Sequence, residues 1–328
     1  MTELDGRKTN QQAATIGVAQ AIAAYLWWGF ATGIYFKELA AVSPIELLAW
    51  RVLAGLPVML ILLALPPGYQ RLRGALGDRR KVGTLVTSTL LISVNWLVFI
   101  YAVVNSRLVE ASLGYYINPL VSVLLGRIFL GERLGRIQKG AVLLAAAGVI
   151  IFAWSKFDSI STAIENGTDG GLGWSGLPWI SLALPLSFGC YGLLRKQMSA
   201  DSTTGLAIEM AFLFPFMLLL QVWLMSNGEA SFLQGDIGLD VLLFAGGLVT
   251  AIPLVLFAAA ARRLRLATIG QLQYLAPSCQ LLLAVFWFGE TIDPMGIVAF
   301  IIIWTAVGLY SFDSIRSNRV AAAQRTPE

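Results

Sequence analysis

Apolar stretches of about twenty residues recur from one end of this chain to the other, and that length lets a helix cross roughly 30 Å of hydrocarbon. They fall near 13–35, 44–65, 82–104, 108–130, 138–154, 177–195, 205–226, 239–261, 267–288 and 295–313. Hydrocarbon offers no hydrogen bonds, so a spanning backbone must bond to itself as a helix or within a closed barrel. The runs are too long and continuous for barrel strands. The prediction is an all-α integral membrane protein with ten transmembrane helices. Composition agrees: 57% of residues are hydrophobic and 13% charged, against about 25% charged in a soluble domain.

The charges orient the helices. A net charge of +4 would suit nucleic acid in a soluble protein, but no zinc finger, phosphate loop or basic aromatic platform accompanies it. In membrane proteins, excess Lys and Arg collect on cytoplasmic loops. With the N-terminus in the cytoplasm, that side takes all 23 Lys and Arg except Lys37, Arg51, Arg107, Arg127 and Lys156. The opposite loops hold Asp158, Glu165, Asp169, Glu229, Asp236 and Asp240. Both termini are therefore expected in the cytoplasm. The first apolar run ends in no small-residue cleavage site and reads as a retained helix. The chain has no histidine, which excludes histidine metal sites and histidine proton relays. No cofactor, metal or nucleic-acid partner is expected. Cys190 and Cys279 lie in apolar runs and read as packing residues.

The stretch EASLGYYINPLVSVLLGRIFLGERL, Glu110–Leu134, has a counterpart in ATIGQLQYLAPSCQLLLAVFWFGETI, Ala267–Ile292. A shift of 158 positions lays Arg107-Leu108 on Arg265-Leu266, Tyr116 on Tyr274, Pro119 on Pro277 and Gly131-Glu132 on Gly289-Glu290. Each segment is fourth in a set of five spans. Five is odd, so the two sets enter the membrane in opposite senses, the inverted-repeat arrangement of secondary transporters. The expected layout is a cytoplasmic segment 1–12, one repeat over 13–154, an external linker 155–176, a second repeat over 177–313 and a cytoplasmic tail 314–328. Pro119 and Pro277 each remove a backbone donor and are expected to kink or interrupt their helices. Glu132 and Glu290 follow a turn glycine and are expected to be structural, accepting N–H groups of the next helix.

Polar side chains inside apolar spans need a reason, because charge in hydrocarbon is costly. Asn95, Trp96, Tyr115, Tyr116, Asn118, Gln271, Gln273 and Tyr274, with Trp28, make a candidate cavity of amide, phenol and indole surface. Each can instead serve interhelical hydrogen bonding. Glu46, Arg51 and Glu209 are candidates for ion coupling or charge pairing. Glu46 and Arg51 are five apart, a poor spacing for a pair on one helix face. Gly29, Gly33, Gly126 and Gly148 can let helices approach closely.

The segments AYLWWGFATGIYFKEL, ELLAWRV, NWLVFIYAVVNSRLVEASLGYYINPLVSVLLGRIFLGERL and FAAAARRLRLATIGQLQYLAPSCQLLLAVFWFGE resemble the EamA branch of the drug/metabolite transporter superfamily over about residues 11–315. The resemblance implies a bacterial inner-membrane permease of two inverted halves, with a chloramphenicol-permease label in some members and metabolite or amino-acid export in others. It also implies a central cavity that includes the fourth and ninth helices, near Tyr116, Asn118, Pro119, Tyr274 and Pro277, with Trp28, Asn95 and Trp96 contributed by other helices. Two departures stand out. Trp50 occupies a position where histidine often precedes the arginine, and Ala276 stands where the first repeat has Asn118.

The expected function is secondary active export of a small amphipathic metabolite, amino acid or drug-like compound by alternating access. A facilitative carrier without ion coupling and a non-transport membrane scaffold are the alternatives. Expected partners are the substrate, the lipid bilayer and, in the coupled reading, protons; monomer and homodimer both stay open. An enzyme is not expected, since no clear nucleophile appears.

Overall fold

The computed structural model describes residues 3–64, 70, 79–129, 131, 135–165, 179–196, 202–261, 263–264 and 272–323. Glu132, Gln271 and residues 166–176 of the expected linker lie outside them. The described residues are helical throughout, joined by turns. Helix α1 runs over Glu3–Leu26 and continues through a π-helical turn, Trp27–Ala31, into Thr32–Glu38. There follow α2 (Pro44–Ala64), α3 (Arg79–Val104), α4 (Leu108–Phe129) and α5 (Arg136–Glu165). The second set is α6 (Trp179–Lys196), α7 (Ser202–Ser226), α8 (Ile237–Ala261), α9 (Leu275–Leu282, then π-helical Leu283–Trp287) and α10 (Pro294–Ala323).

Among the described residues, five stretches are long and apolar enough to cross a membrane: Pro44–Ala64, Gly83–Val104, Arg136–Trp154, Thr203–Ser226 and Ile237–Phe257. Trp179–Leu194, Leu275–Trp287 and Pro294–Tyr310 are shorter apolar segments. The protein is thus an all-α, multi-pass membrane protein. α5 and α10 continue past the expected ends at 154 and 313. The end of an apolar run marks the edge of hydrocarbon, and a helix can continue into water.

Local chemistry sets several helix ends. Ser43 caps α2 by accepting from the Glu46 N–H, with Pro44 at the first helical position, where its missing donor costs nothing. Asp293-Pro294 repeats the device on α10, the Gly296 N–H donating to Asp293 at 2.6 Å. Gly131 and Gly289 take φ of +67° and +70°, a left-handed conformation at a helix end that glycine adopts without strain. The paired prolines act differently. α4 passes through Pro119 unbroken, so the expected interruption is absent there. Near Pro277 the helix stops for a turn at Gln273 and Tyr274 and resumes at Leu275. Pro277 has no N–H for the Gln273 carbonyl, which accepts from the Ala276 N–H at 3.3 Å instead.

The helices pack across the two sets. α1 lies on α8, α6 on α3, α4 on both α6 and α9, α2 on α7 and α8, α3 on α7, α9 on α1, and α5 on α10. Glycines permit the closest crossings. A Cβ on Gly29 would collide with Cys279, and one on Gly148 would come within 2.7 Å of Ile303. Large apolar side chains such as Leu143, Ile150, Phe216, Leu219 and Phe286 remain exposed around the bundle, as a lipid-facing surface requires.

Candidate substrate site

Arg51 lies seven residues into α2, about 10 Å along its axis, and is only 8% exposed. Its guanidinium carbon sits 4.2 Å from the centroid of Trp96 on α3 and 5.9 Å from that of Phe36 on α1. Tyr35 and Tyr115 lie beside it. Among the described residues its Nε has no acceptor. The Tyr115 hydroxyl donates to Asn95 Oδ1 at 3.4 Å, and Asn95 Nδ2 donates to the Leu184 carbonyl at 3.0 Å and to Ser187 Oγ at 3.1 Å. Asn95 therefore ties α3 to α4 and α6. The structure brings Arg51, Asn95, Trp96 and Tyr115 into one cluster.

Tyr116 belongs to a second cluster. Its hydroxyl is 2.6 Å from Ser278 Oγ, and its ring stacks on Tyr274 at 6.4 Å and meets Trp304 edge-on at 5.8 Å. Ser112 Oγ donates to the Pro277 carbonyl at 2.9 Å, adding a tie between α4 and α9. Trp28 forms a third group with Tyr25 and Phe257, each 5.8 Å away, and its carbonyl accepts from Gln280 at 3.4 Å. Successive helix positions differ by about 100°, so Tyr115 and Tyr116 must face different neighbours. Asn118 lies three residues beyond Tyr115, on the same face one turn further along. It is 2% exposed, and among the described residues its Oδ1 accepts no hydrogen bond. Gln273 sits partly buried in the turn before α9.

The carboxylates are engaged. Glu46 is fully buried and does not meet Arg51. It accepts from Gln221 Nε2 at 3.1 Å, from the Ser231 N–H at 3.0 Å and from the Phe232 N–H at 3.3 Å. Glu209, also fully buried, accepts from Ser88 Oγ at 2.6 Å and the Tyr191 hydroxyl at 3.2 Å. Glu290 accepts from the N–H groups of Leu108 and Val109, both at 2.9 Å. Those donors begin α4 in the other set, rather than the helix that follows Glu290. Burial pushes the Glu290 carboxyl above the usual glutamate range, opposed by these two N–H donors and by Lys37. Beside it, Arg107 makes a bidentate pair with Glu110, both bonds 2.8 Å, and a crevice of about 350 Å³ opens between Ser106–Glu110 and Phe288–Thr291. Glu290→Ala should leave two N–H donors at the start of α4 without their acceptor and cost about 1–2 kcal/mol, the range of a lost cap. Thermal unfolding in detergent checks this, with the exposed Glu229→Ala as the unaffected control.

Several partners carry no sequence signal of their own. Ser278, Ser187, Ser88 and Tyr191 are ordinary residues in apolar runs until the helices meet. One signal was present: the same shift of 158 lays Pro57 on Pro215 and Arg51 on Glu209. It sets a buried cation and a buried carboxylate at matching positions of α2 and α7.

A sequence model described as the EamA-like transporter family matches residues 15–154 and again 174–312. Protein RarD of Escherichia coli strain K12 is 38% identical over 316 residues, covering 96% of this chain and 99% of that one. An uncharacterized transporter of Vibrio cholerae is also 38% identical, over 96% of this chain and 98% of its own. A solved crystal structure superposes with a TM-score of 0.56 at 20% identity, covering 92% of this chain and 98% of the other, a likeness of fold. Its relatives are bacterial transporters that resemble it almost end to end, and its own helices are those of a multi-pass membrane protein. The chain belongs to the EamA-like transporter family, secondary transporters of small molecules rather than enzymes.

Proposed function

We propose that the chain is an alternating-access exporter built from two five-helix halves, residues 13–154 and 177–313, that cross the membrane in opposite senses with both termini cytoplasmic. The helix pairing carries this reading. Exchanging the first five helices for the last five turns α1 on α8 into α6 on α3, α4 on α6 into α9 on α1, and α2 on α8 into α7 on α3. The pairs α2 with α7, α4 with α9 and α5 with α10 map onto themselves. That is the pattern a two-fold axis in the membrane plane generates. Gly131 and Gly289, alike in position and backbone conformation, support the same relation.

The substrate is a small amphipathic metabolite, amino acid or drug-like compound, taken between Arg51, Asn95, Trp96 and Tyr115 with Asn118 one turn away. A few fixed polar groups among aromatic walls suit such a molecule. Glu209 is the candidate proton carrier, since Glu46 is committed to the Ser231–Phe232 backbone. Counterflow in liposomes containing the purified protein tests the carrier, using labelled amino acids, aromatic metabolites and chloramphenicol. Saturable exchange is expected; flux that rises linearly with concentration would mean a channel. A pH gradient that changes accumulation assigns proton coupling, and an indifferent one assigns facilitated export. Asn95→Ala should lower exchange about tenfold at equal membrane abundance, the equivalent of one hydrogen bond of about 1.4 kcal/mol. Full-rate exchange by that variant would remove Asn95 from the site.

A further inference from the structure

Arg51 is a buried cation with no counter-charge. Its guanidinium makes no hydrogen bond or ion pair among the described residues, and its Nε is enclosed without an acceptor. The two fully buried carboxylates are engaged elsewhere: Glu46 by Gln221 and the Ser231–Phe232 backbone, Glu209 by Ser88 and Tyr191. Trp96 and Phe36 offer ring faces, and a cation–ring contact uses none of the five guanidinium N–H donors. The neighbouring Trp50 Nε1 is likewise buried without an acceptor. Arginines that serve only the fold at such depth are paired. A guanidinium with its donors free is built for a planar anion held by two parallel bonds.

We propose that Arg51 binds the carboxylate of the transported molecule, so that the substrate class is an organic acid or zwitterion whose apolar body lies against Trp96, Phe36 and Tyr115. This rests on the carrier reading and narrows it. An anion at Arg51 supplies the charge that the protein withholds, and an aromatic or branched body fills the ring surface beside it. A neutral molecule of the same shape leaves the guanidinium uncompensated. Selectivity for the acid over its amide therefore follows from the protein's own charge arrangement.

The test is thermal unfolding of the full-length protein in neutral detergent. The probes are phenylacetate and L-phenylalanine, with phenylacetamide and L-phenylalaninamide as matched compounds lacking the carboxylate and sodium phosphate as an inorganic anion. The expected result is a saturable rise in unfolding temperature with the carboxylates alone. It should vanish in Arg51→Gln and partly return in Arg51→Lys, which keeps the charge but loses the fork. Unliganded Arg51→Gln should unfold at or above the wild-type temperature, because an uncompensated buried cation has been removed. Equal shifts from acids and amides overturn the proposal, as do a shift from phosphate alone, no shift from any probe, or a carboxylate shift that survives in Arg51→Gln. An unliganded Arg51→Gln that unfolds well below wild type also overturns it, by making the arginine structural. Carboxylate binding alongside non-saturable flux in liposomes defeats the carrier reading and leaves the anion site standing.

Discussion

Gly247→Val is expected to stop this protein from accumulating as a monodisperse species in detergent. Gly247 lies on α8 where that helix crosses α2. A Cβ there would collide with the Ala54 carbonyl group and lie 3.0 Å from the Ala54 Cβ. The obstacle is backbone, which cannot rotate away as a long side chain does. Relief requires α2 and α8 to separate along their whole contact. Without a hydrophobic force between helices in lipid, close packing itself supplies much of the association. Overpacking typically costs about 1–3 kcal/mol, and a clash with backbone belongs at or above the top of that range. Gly192→Ala on α6 is the control, because a Cβ there meets nothing within 4 Å. Size-exclusion profiles of the two variants decide it: equal monodisperse yields would mean that the crossing is not tight.

The position of that crossing also marks where the sequence stopped being informative. Apolar run length was enough to find an all-α membrane protein with long apolar helices, and the two glycines of the repeated Gly-Glu share a left-handed backbone. The closest approaches involve Gly29 and Gly148, which stood among the expected packing glycines, but also Gly247, which nothing in its run distinguished. Lipid-facing and bundle-facing sides are both apolar, so the 3.6-residue period that reveals a buried face in a soluble helix is erased. The same loss blurred the site. Tyr115 and Tyr116 were expected in one cavity, yet they face Asn95 and Ser278 on different sides of α4. Neighbours in sequence cannot share a helix face, and only the packing decides which partner each one meets. Glu46 is similar. Ser43-x-x-Glu46 has the form of a reciprocal cap, but the glutamate leaves its own helix end and crosses to Ser231.

Two of the polar ties between the sets use a carboxylate on free backbone: Glu290 receives the start of α4, and Glu46 receives the turn between α7 and α8. In both, a carboxylate from one set collects free backbone N–H groups of the other. Such contacts are short-range and directional.

Glu46→Ala is accordingly expected to destabilise the protein more than any other removal of a single polar group discussed above. The side chain is fully buried, and its carboxylate gathers Gln221, Ser231 and Phe232. Truncation leaves two backbone donors and one amide without an acceptor. With hydrogen bonds to charged groups worth about 1.5–3 kcal/mol each, and water able to reach part of the vacated space, the net loss should be about 3–5 kcal/mol. Glu46→Gln should fall between wild type and Glu46→Ala, because one oxygen still accepts while the new NH₂ faces donors. Unfolding temperature reads the order, and limited proteolysis reads the place: cleavage should appear within 227–236 in Glu46→Ala, where the turn has lost its anchor. Glu229→Gln, exposed in the same turn, should leave both measurements unchanged. If instead Glu46→Ala keeps its unfolding temperature but loses pH-dependent transport, the carboxylate is a proton carrier and the anchoring role is wrong.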